Sequence, residues 1–352
     1  MISFGIVGSG YRAEYFGRIA RTYPELFRAI YLCRSAEKTE RMTAHTGMEA
    51  TQSPERFMAF KPDFLVIAVD RGHMAEEALR WAETGIPVIT ETPSGANTEE
   101  LNRLWEAHKK KGARISCCEQ YFRQPLLAAG LKAIGTGLIG TPVSLYISLL
   151  HHYHGASLIR KALQVPVGEA FSLRGCRSVT EVTATDSREG AILDGRSQRE
   201  ERDRFHIDFA GGKEADYDFS SVQYRTYLRS RHLTVRGTRG EWSDTLVRTT
   251  DAEGSPIQLF LLPEIDQAYR CLDTQALRDL RRNWRPDLAP DTVQDEFAIA
   301  TLLLDMGAYC AGGPSPYPLA EALEDAYFWL QMERAAQQPW QEIRSERMPW
   351  HG

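Results

Sequence analysis

What this chain lacks narrows what it can be. It has no basic excess: 42 lysines and arginines stand against 47 aspartates and glutamates in 352 residues, a formal charge of −5. That balance lacks the electrostatic footprint of nucleic-acid binding and offers nothing to an anionic lipid surface. No uninterrupted apolar run approaches a membrane span. The opening residues, Met1 to Val7, run straight into a strand pattern, with no basic segment or apolar leader before it, so a cytoplasmic protein is expected. The six cysteines, at 33, 117, 118, 176, 271 and 310, show neither zinc-ligand spacing nor a disulfide framework. Buried thiols in a reducing compartment are the expectation, and no metal site is assigned.

What is present is ordinary globular material, 43% hydrophobic and 25% charged, in a length suited to two domains. Short apolar runs alternate with helical periodicity through the first third. Strands are expected at Ile2 to Val7, Phe27 to Leu32, Phe64 to Val69, Pro87 to Thr90 and Arg114 to Cys118. Helices are expected at Arg12 to Thr22, Ala36 to Thr46, Met74 to Thr84 and from Asn97 or Thr98 to Lys111. This rhythm predicts a parallel sheet covered on both faces, an α/β Rossmann domain over residues 1–122. After residue 123 longer strand patterns appear, at Thr141 to His152, Phe205 to Phe209, Ala215 to Phe219 and His232 to Gly237. They predict an α+β domain over 123–352 with an open, mainly antiparallel sheet. Two helices follow, Asp295 to Cys310 and Leu319 to Gln338. The charged segment 175–203 reads as an exposed loop.

Gly8-Ser9-Gly10-Tyr11-Arg12-Ala13 follows the first strand and opens the first helix, the context a dinucleotide fingerprint requires. Gly8 allows the turn, Gly10 lets the backbone approach a pyrophosphate, and Ala13 keeps the helix close to the strand. The phosphates would lie at the positive end of the helix dipole. The second strand ends in Cys33-Arg34-Ser35, with no carboxylate to hold ribose hydroxyls or repel a 2′-phosphate. Arg34 and Ser35 favour NADP and leave NAD open.

Further landmarks are His73, Gly85-Ile86-Pro87-Val88-Ile89-Thr90-Glu91-Thr92-Pro93, Tyr121-Phe122-Arg123-Gln124-Pro125, Gly137-Leu138-Ile139-Gly140-Thr141-Pro142, Val235-Arg236-Gly237-Thr238-Arg239-Gly240-Glu241 and Asp295-Glu296-Phe297. In this order the chain resembles the Gfo/Idh/MocA oxidoreductases, the family of glucose–fructose oxidoreductase and inositol dehydrogenase. The resemblance implies a nicotinamide in the cleft between the domains and a sugar, cyclitol or related polyol as substrate. It also implies a homodimer or homotetramer through the open sheet, which would cover that sheet's second face. It carries cofactor contacts over to Val69, Asp70, His73, Glu91, Thr92 and Gln120.

The sequence departs from the family at two points. The family's Glu-Lys-Pro is here Glu91-Thr92-Pro93, so Thr92 offers a neutral hydroxyl where a lysine is usual. The family's histidine matches His154, but the aspartate four residues earlier is replaced by Leu150. If the strand from Pro142 continues, His152 and His154 share a face with Ser144, Tyr146 and Ser148. If the segment is helical, His154, Ser157 and Lys161 share one. His154 is the candidate acid/base, with Thr92 and with Lys161 as a replacement cation; an ordinary hydrogen-bonded histidine is the plainer alternative. Tyr121, Arg123, His152, Tyr153, Arg160 and Arg231 are expected on the substrate side, although the arginine-rich run Tyr224 to His232 also reads as a solvated edge strand. Hydride transfer is the expected reaction. A lyase or glycosidase with a retained dinucleotide, and a non-catalytic dinucleotide sensor, are the alternatives.

Overall fold

The computed structural model describes residues 1–187, 190–263, 265–282 and 292–352. The first third is built from β1 (Ile2–Val7), α1 (Tyr11–Thr22), β2 (Phe27–Leu32), α2 (Ala36–Thr46), β3 (Glu49–Thr51), α3 (Pro54–Ala59), β4 (Phe64–Ile67), α4 (Arg71–Ala82), β5 (Val88–Thr90), α5 (Thr98–Lys111) and β6 (Ile115–Cys117). The strands form one parallel sheet in the order β3-β2-β1-β4-β5-β6. Side-chain caps set the helix starts. Ser35 accepts from the Lys38 amide at α2, and Asn97 from the Glu100 amide at α5. β3 and α3 are absent from the sequence reading, yet Ser53-Pro54-Glu55 carries a cap, Pro at the first helical position and an acid behind it. Strand order reverses between β1 and β4, so a crevice opens beyond their C-terminal ends, where such sheets bind ligands.

The second domain begins with α6 (Pro125–Gly135), β7 (Pro142–Ser148), α7 (His152–Leu163) and β8 (Phe171–Thr183). Among the described residues its sheet has nine strands. They run Pro256–Phe260, Leu246–Thr250, Glu241–Ser243, His232–Gly237, β7, Glu214–Ser220, Ser197–Phe209, β8 and Ile343–Arg344. Every neighbouring pair is antiparallel except β7 with Glu214–Ser220. Leu145, Ile147, Phe205, Ile207, Ala215 and Tyr217 point inward, where α7 and the helix Leu319–Gln337 cover them.

The chain departs from the expected pattern after β7. The strand predicted to His152 stops at Ser148, and His152 opens α7. Tyrosine hydroxyls from outside the segment take the next amides, Tyr224 that of His151 at 3.0 Å and Tyr217 that of His152 at 2.8 Å, which ends the ladder. The segment expected as a loop, 175–203, lies largely in β8 and its partner strand, each of 13 residues. Exposed charges on this part of the sheet pair across strands, Arg202 with Asp218, His206 with Asp216 and Arg174 with Asp208, while Glu200 and Asp203 are buried against Arg229 and Arg177.

A cut at residue 123 does not follow the packing. Phe297, Ile299, Leu302, Leu303 and Met306, on the helix Thr292–Cys310, join Phe4, Phe16, Ile19 and Phe64 in the core of the first domain. The helix Leu319–Gln337 joins the other core, which spans α4, α5 and the second sheet. No helix among the described residues is long and apolar enough to cross a membrane.

Candidate functional site

The glycine fingerprint sits where the motif needs it. Gly8 leaves β1 at φ 134°, and a Cβ there would collide with the Ala68 carbonyl oxygen at the end of β4. A Cβ on Gly10 would meet open space. Gly10 caps α1 without any side-chain hydrogen bond, so the first amides of that helix remain available to an anion. The cleft beyond is about 1010 Å³ and is lined on one side by Gly8 to Arg12 and on the other by Val69, Asp70 and His73. At the end of β2 its wall is Cys33 and Arg34, joined by Lys38 and Arg41. Arg41 donates to the Ser9 carbonyl, while Ser35 is spent as a helix cap. Asp70 caps α4 through the Gly72 amide at 3.0 Å. The donor set fits a dinucleotide: open amides for a pyrophosphate and cations beside β2.

Arg12 lines this cleft but is already paired. Its guanidinium donates to Glu91 Oε1 at 3.0 Å and lies 3.8 Å from Asp295. Glu91 thereby anchors Arg12, and Asp295 also accepts from Gln124 at 2.8 Å. Next in the chain, Thr92 precedes a cis peptide bond to Pro93. Its hydroxyl lies 3.5 Å from His154 Nε2. The opposite nitrogen of that ring, Nδ1, is 2.6 Å from Glu119 Oε2. Glu119 follows β6 and is wholly buried; His154 is 7% exposed. Burial pushes the Glu119 carboxyl up to about 8, and burial with Arg12 pushes the His154 imidazole down to about 3. Tyr121 packs on the His154 ring, centroids 4.5 Å apart. Gln120 Oε1, buried beside it, has no hydrogen-bond partner among the described residues.

The structure thus gathers His154, Thr92, Glu91, Gln120 and Tyr121, and adds Glu119, which sequence reasoning missed. Its signal was a carboxylate just past a parallel strand's C-terminal end, where ligands of such sheets gather. Other predicted residues are employed elsewhere. Arg160 is buried, donating to Asp325 at 2.5 Å and Glu321 at 2.9 Å, so the expected substrate cation is a core ion pair instead. Tyr153 is buried with its hydroxyl on the Ala322 carbonyl. Arg123 is held by Asp305 at 2.6 Å and by the Pro316 carbonyl. Lys161 lies over the Phe122 and Tyr317 rings, 3.6 Å from Glu321. Arg231 lies over the Tyr224 ring, in a turn region rather than an edge strand. His152 stands among Asp203, Glu333 and Arg177; the arginine already supplies positive charge to both carboxylates.

The strand order and the cleft define a dinucleotide-binding Rossmann protein with an appended open-sheet domain. Residues 2–118, the N-terminal domain, match the family model described as "Oxidoreductase family, NAD-binding Rossmann fold". No curated protein matches the sequence. Solved structures share the whole fold at low identity. One is levoglucosan dehydrogenase in complex with NADH and levoglucosan: 17% identity, 97% of this chain and 99% of that one, TM-score 0.69. Another is an NAD-binding oxidoreductase from Klebsiella pneumoniae: 14% identity, 98% and 99% covered, TM-score 0.68. A third is a putative myo-inositol dehydrogenase from Sinorhizobium meliloti: 15% identity, 97% and 99% covered, TM-score 0.65.

Proposed function

We propose that this protein is a dinucleotide-dependent dehydrogenase or reductase of a sugar, cyclitol or related polyol, with NADP(H) as its preferred cofactor. The observation that carries the reading is His154, which turns Nε2 toward Thr92 while Glu119 holds Nδ1. A bound nicotinamide supplies the site with a hydride donor or acceptor. His154 Nε2 takes the hydroxyl proton when a carbinol is oxidised and returns it when a carbonyl is reduced. Thr92 orients the same oxygen through a neutral hydroxyl, and Tyr121 steadies the His154 ring by packing on it. An intact, hydrogen-bonded acid/base pair argues against a decayed sensor. The polyol class follows two structural neighbours, levoglucosan dehydrogenase and the myo-inositol dehydrogenase named above. Incubation with NADP⁺ and a panel of sugars and cyclitols is expected to accumulate NADPH. A protein that binds the dinucleotide yet reduces none of it across the panel overturns the reading.

The cofactor preference rests on Arg34, Lys38 and Arg41, which line the cleft beside β2 with no carboxylate at that strand's end. Arg34→Ala is expected to weaken NADPH by about tenfold to a hundredfold, the worth of one charge-assisted hydrogen bond, and to leave NADH nearly unchanged. Titration of the stripped protein with each nucleotide, followed by energy transfer from tryptophan, checks this. Equal losses for both nucleotides would place Arg34 on the shared part of the cofactor.

A further inference from the structure

We propose that Glu119 and His154 work as a single-proton switch. While the pair keeps its shared proton it presents Nε2 as a donor for carbonyl reduction; once the pair has lost it, Nε2 is an acceptor for carbinol oxidation. The proposal rests on the function proposed above, and Glu119 acts through His154 as a positioning residue.

At 2.6 Å the carboxyl oxygen and Nδ1 share one hydrogen bond, shorter than the usual neutral N–H···O bond. Both groups are buried, and burial favours the uncharged state of each, carboxylic acid and neutral imidazole. In that state the acid donates to Nδ1, so the ring's own proton resides on Nε2, the nitrogen facing Thr92. Loss of one proton leaves a carboxylate that accepts from Nδ1–H, and Nε2 becomes a bare lone pair. The titration belongs to the pair rather than to either residue.

The surroundings leave this pair as the group that titrates. Arg12 acts on both groups and is itself tied to Glu91 and Asp295. Burial, then the neighbouring His154 and His152, then Arg71 and Arg12, hold His151 well below the usual imidazole range, and burial likewise lowers His152. The thiols of Cys117 and Cys118 and the phenols of Tyr121, Tyr153 and Tyr317 are all pushed up by burial and stay protonated. The Tyr121 amide donates to Glu119 Oε1 at 3.1 Å and favours the charged form, while the Ser157 hydroxyl is turned to the His154 carbonyl.

Each direction balances. In reduction Nε2 gives its proton to the carbonyl oxygen as hydride from the reduced dinucleotide reaches the carbon. The Glu119 O–H proton moves to Nδ1, and the pair ends as carboxylate and neutral imidazole. Oxidation runs the same transfers backward. Reduction should therefore fade, and oxidation rise, as pH climbs through about 8.

Nitrogen NMR of the full-length protein labelled in histidine tests the switch without any substrate, with the protein alone and with NADP⁺ added. His154 is assigned by the signal lost in His154→Gln. Expected is a proton on Nε2 below a midpoint near pH 8 and on Nδ1 above it. In Glu119→Gln the exchange between nitrogens should disappear from that range. Arg12→Met removes a cation that favours the carboxylate and should move the midpoint upward, which keeps the test alive should Glu119→Gln fail to fold. One unchanging tautomer in the wild-type protein, or the same midpoint in Glu119→Gln, overturns the proposal. A polyol panel that yields no NADPH would defeat the proposed function and leave this titration standing, so the two fail separately.

Discussion

His154→Ala is expected to lower turnover by about 10²–10⁴-fold, the usual contribution of a positioned general acid or base, with little change in dinucleotide affinity. The loss should be large because nothing nearby can replace the imidazole. Thr92 is neutral and cannot take a proton at ordinary pH. Lys161, the cation that helical spacing offered, is drawn to Glu321 and two aromatic rings. Arg12 stays paired with Glu91. Glu119 would remain, but behind the space the ring leaves. Affinity should hold because the cleft at Gly8, Gly10 and Arg34 does not include His154. Single-turnover hydride transfer, measured beside NADPH titration, separates the two effects. Retained turnover would remove His154 from the chemistry, whereas equal losses in binding and rate would mean the cleft itself had been disturbed.

The parts of this molecule legible from sequence are those that local chemistry determines. β1, the Gly8-Ser9-Gly10 turn and the capped starts of α2 and α5 each follow from residues within one short window. So does the missing carboxylate after β2. What was not legible depends on partners far along the chain. The strand through Pro142 shows an alternation that continues past Ser148, yet hydroxyls of Tyr217 and Tyr224 seize the next amides and turn the chain into α7. The strands of segment 175–203 hide because their exposed positions are polar or charged with little apolar alternation, and such a run reads as loop until cross-strand pairing is visible. Glu119 lies between two noted neighbours, Cys118 and Gln120. Only the fold brings it against a histidine 35 positions later.

Arg160 shows how much such distance can change a residue's meaning, and its partner Asp325 carries the largest stability prediction. From sequence, Arg160 follows the histidine cluster as a cation free to meet a substrate. In the folded chain its guanidinium is 3% exposed at the side chain and donates to an Asp325 carboxylate that is fully enclosed. Tyr317 hydrogen-bonds the same carboxylate. Burial raises the Asp325 carboxyl to about 6, with Arg160 and Tyr317 pulling the other way. Removing one member of a buried pair strands the other charge, which costs about 3–5 kcal/mol. Glu321 still touches Arg160 at 2.9 Å, so Asp325→Ala is expected near the lower end, about 3 kcal/mol, read as a shift in the denaturant midpoint. Arg160→Met combined with Asp325→Leu should recover most of that loss, because apolar groups of similar volume need no compensation. A substrate role for Arg160 makes the opposite forecast. The double variant would then fold well and lose affinity for its polyol, while Asp325→Ala alone would shift KM more than stability. Denaturation of both variants, set beside their kinetics, decides whether this arginine holds the helix Leu319–Gln337 to α7 or serves the pocket.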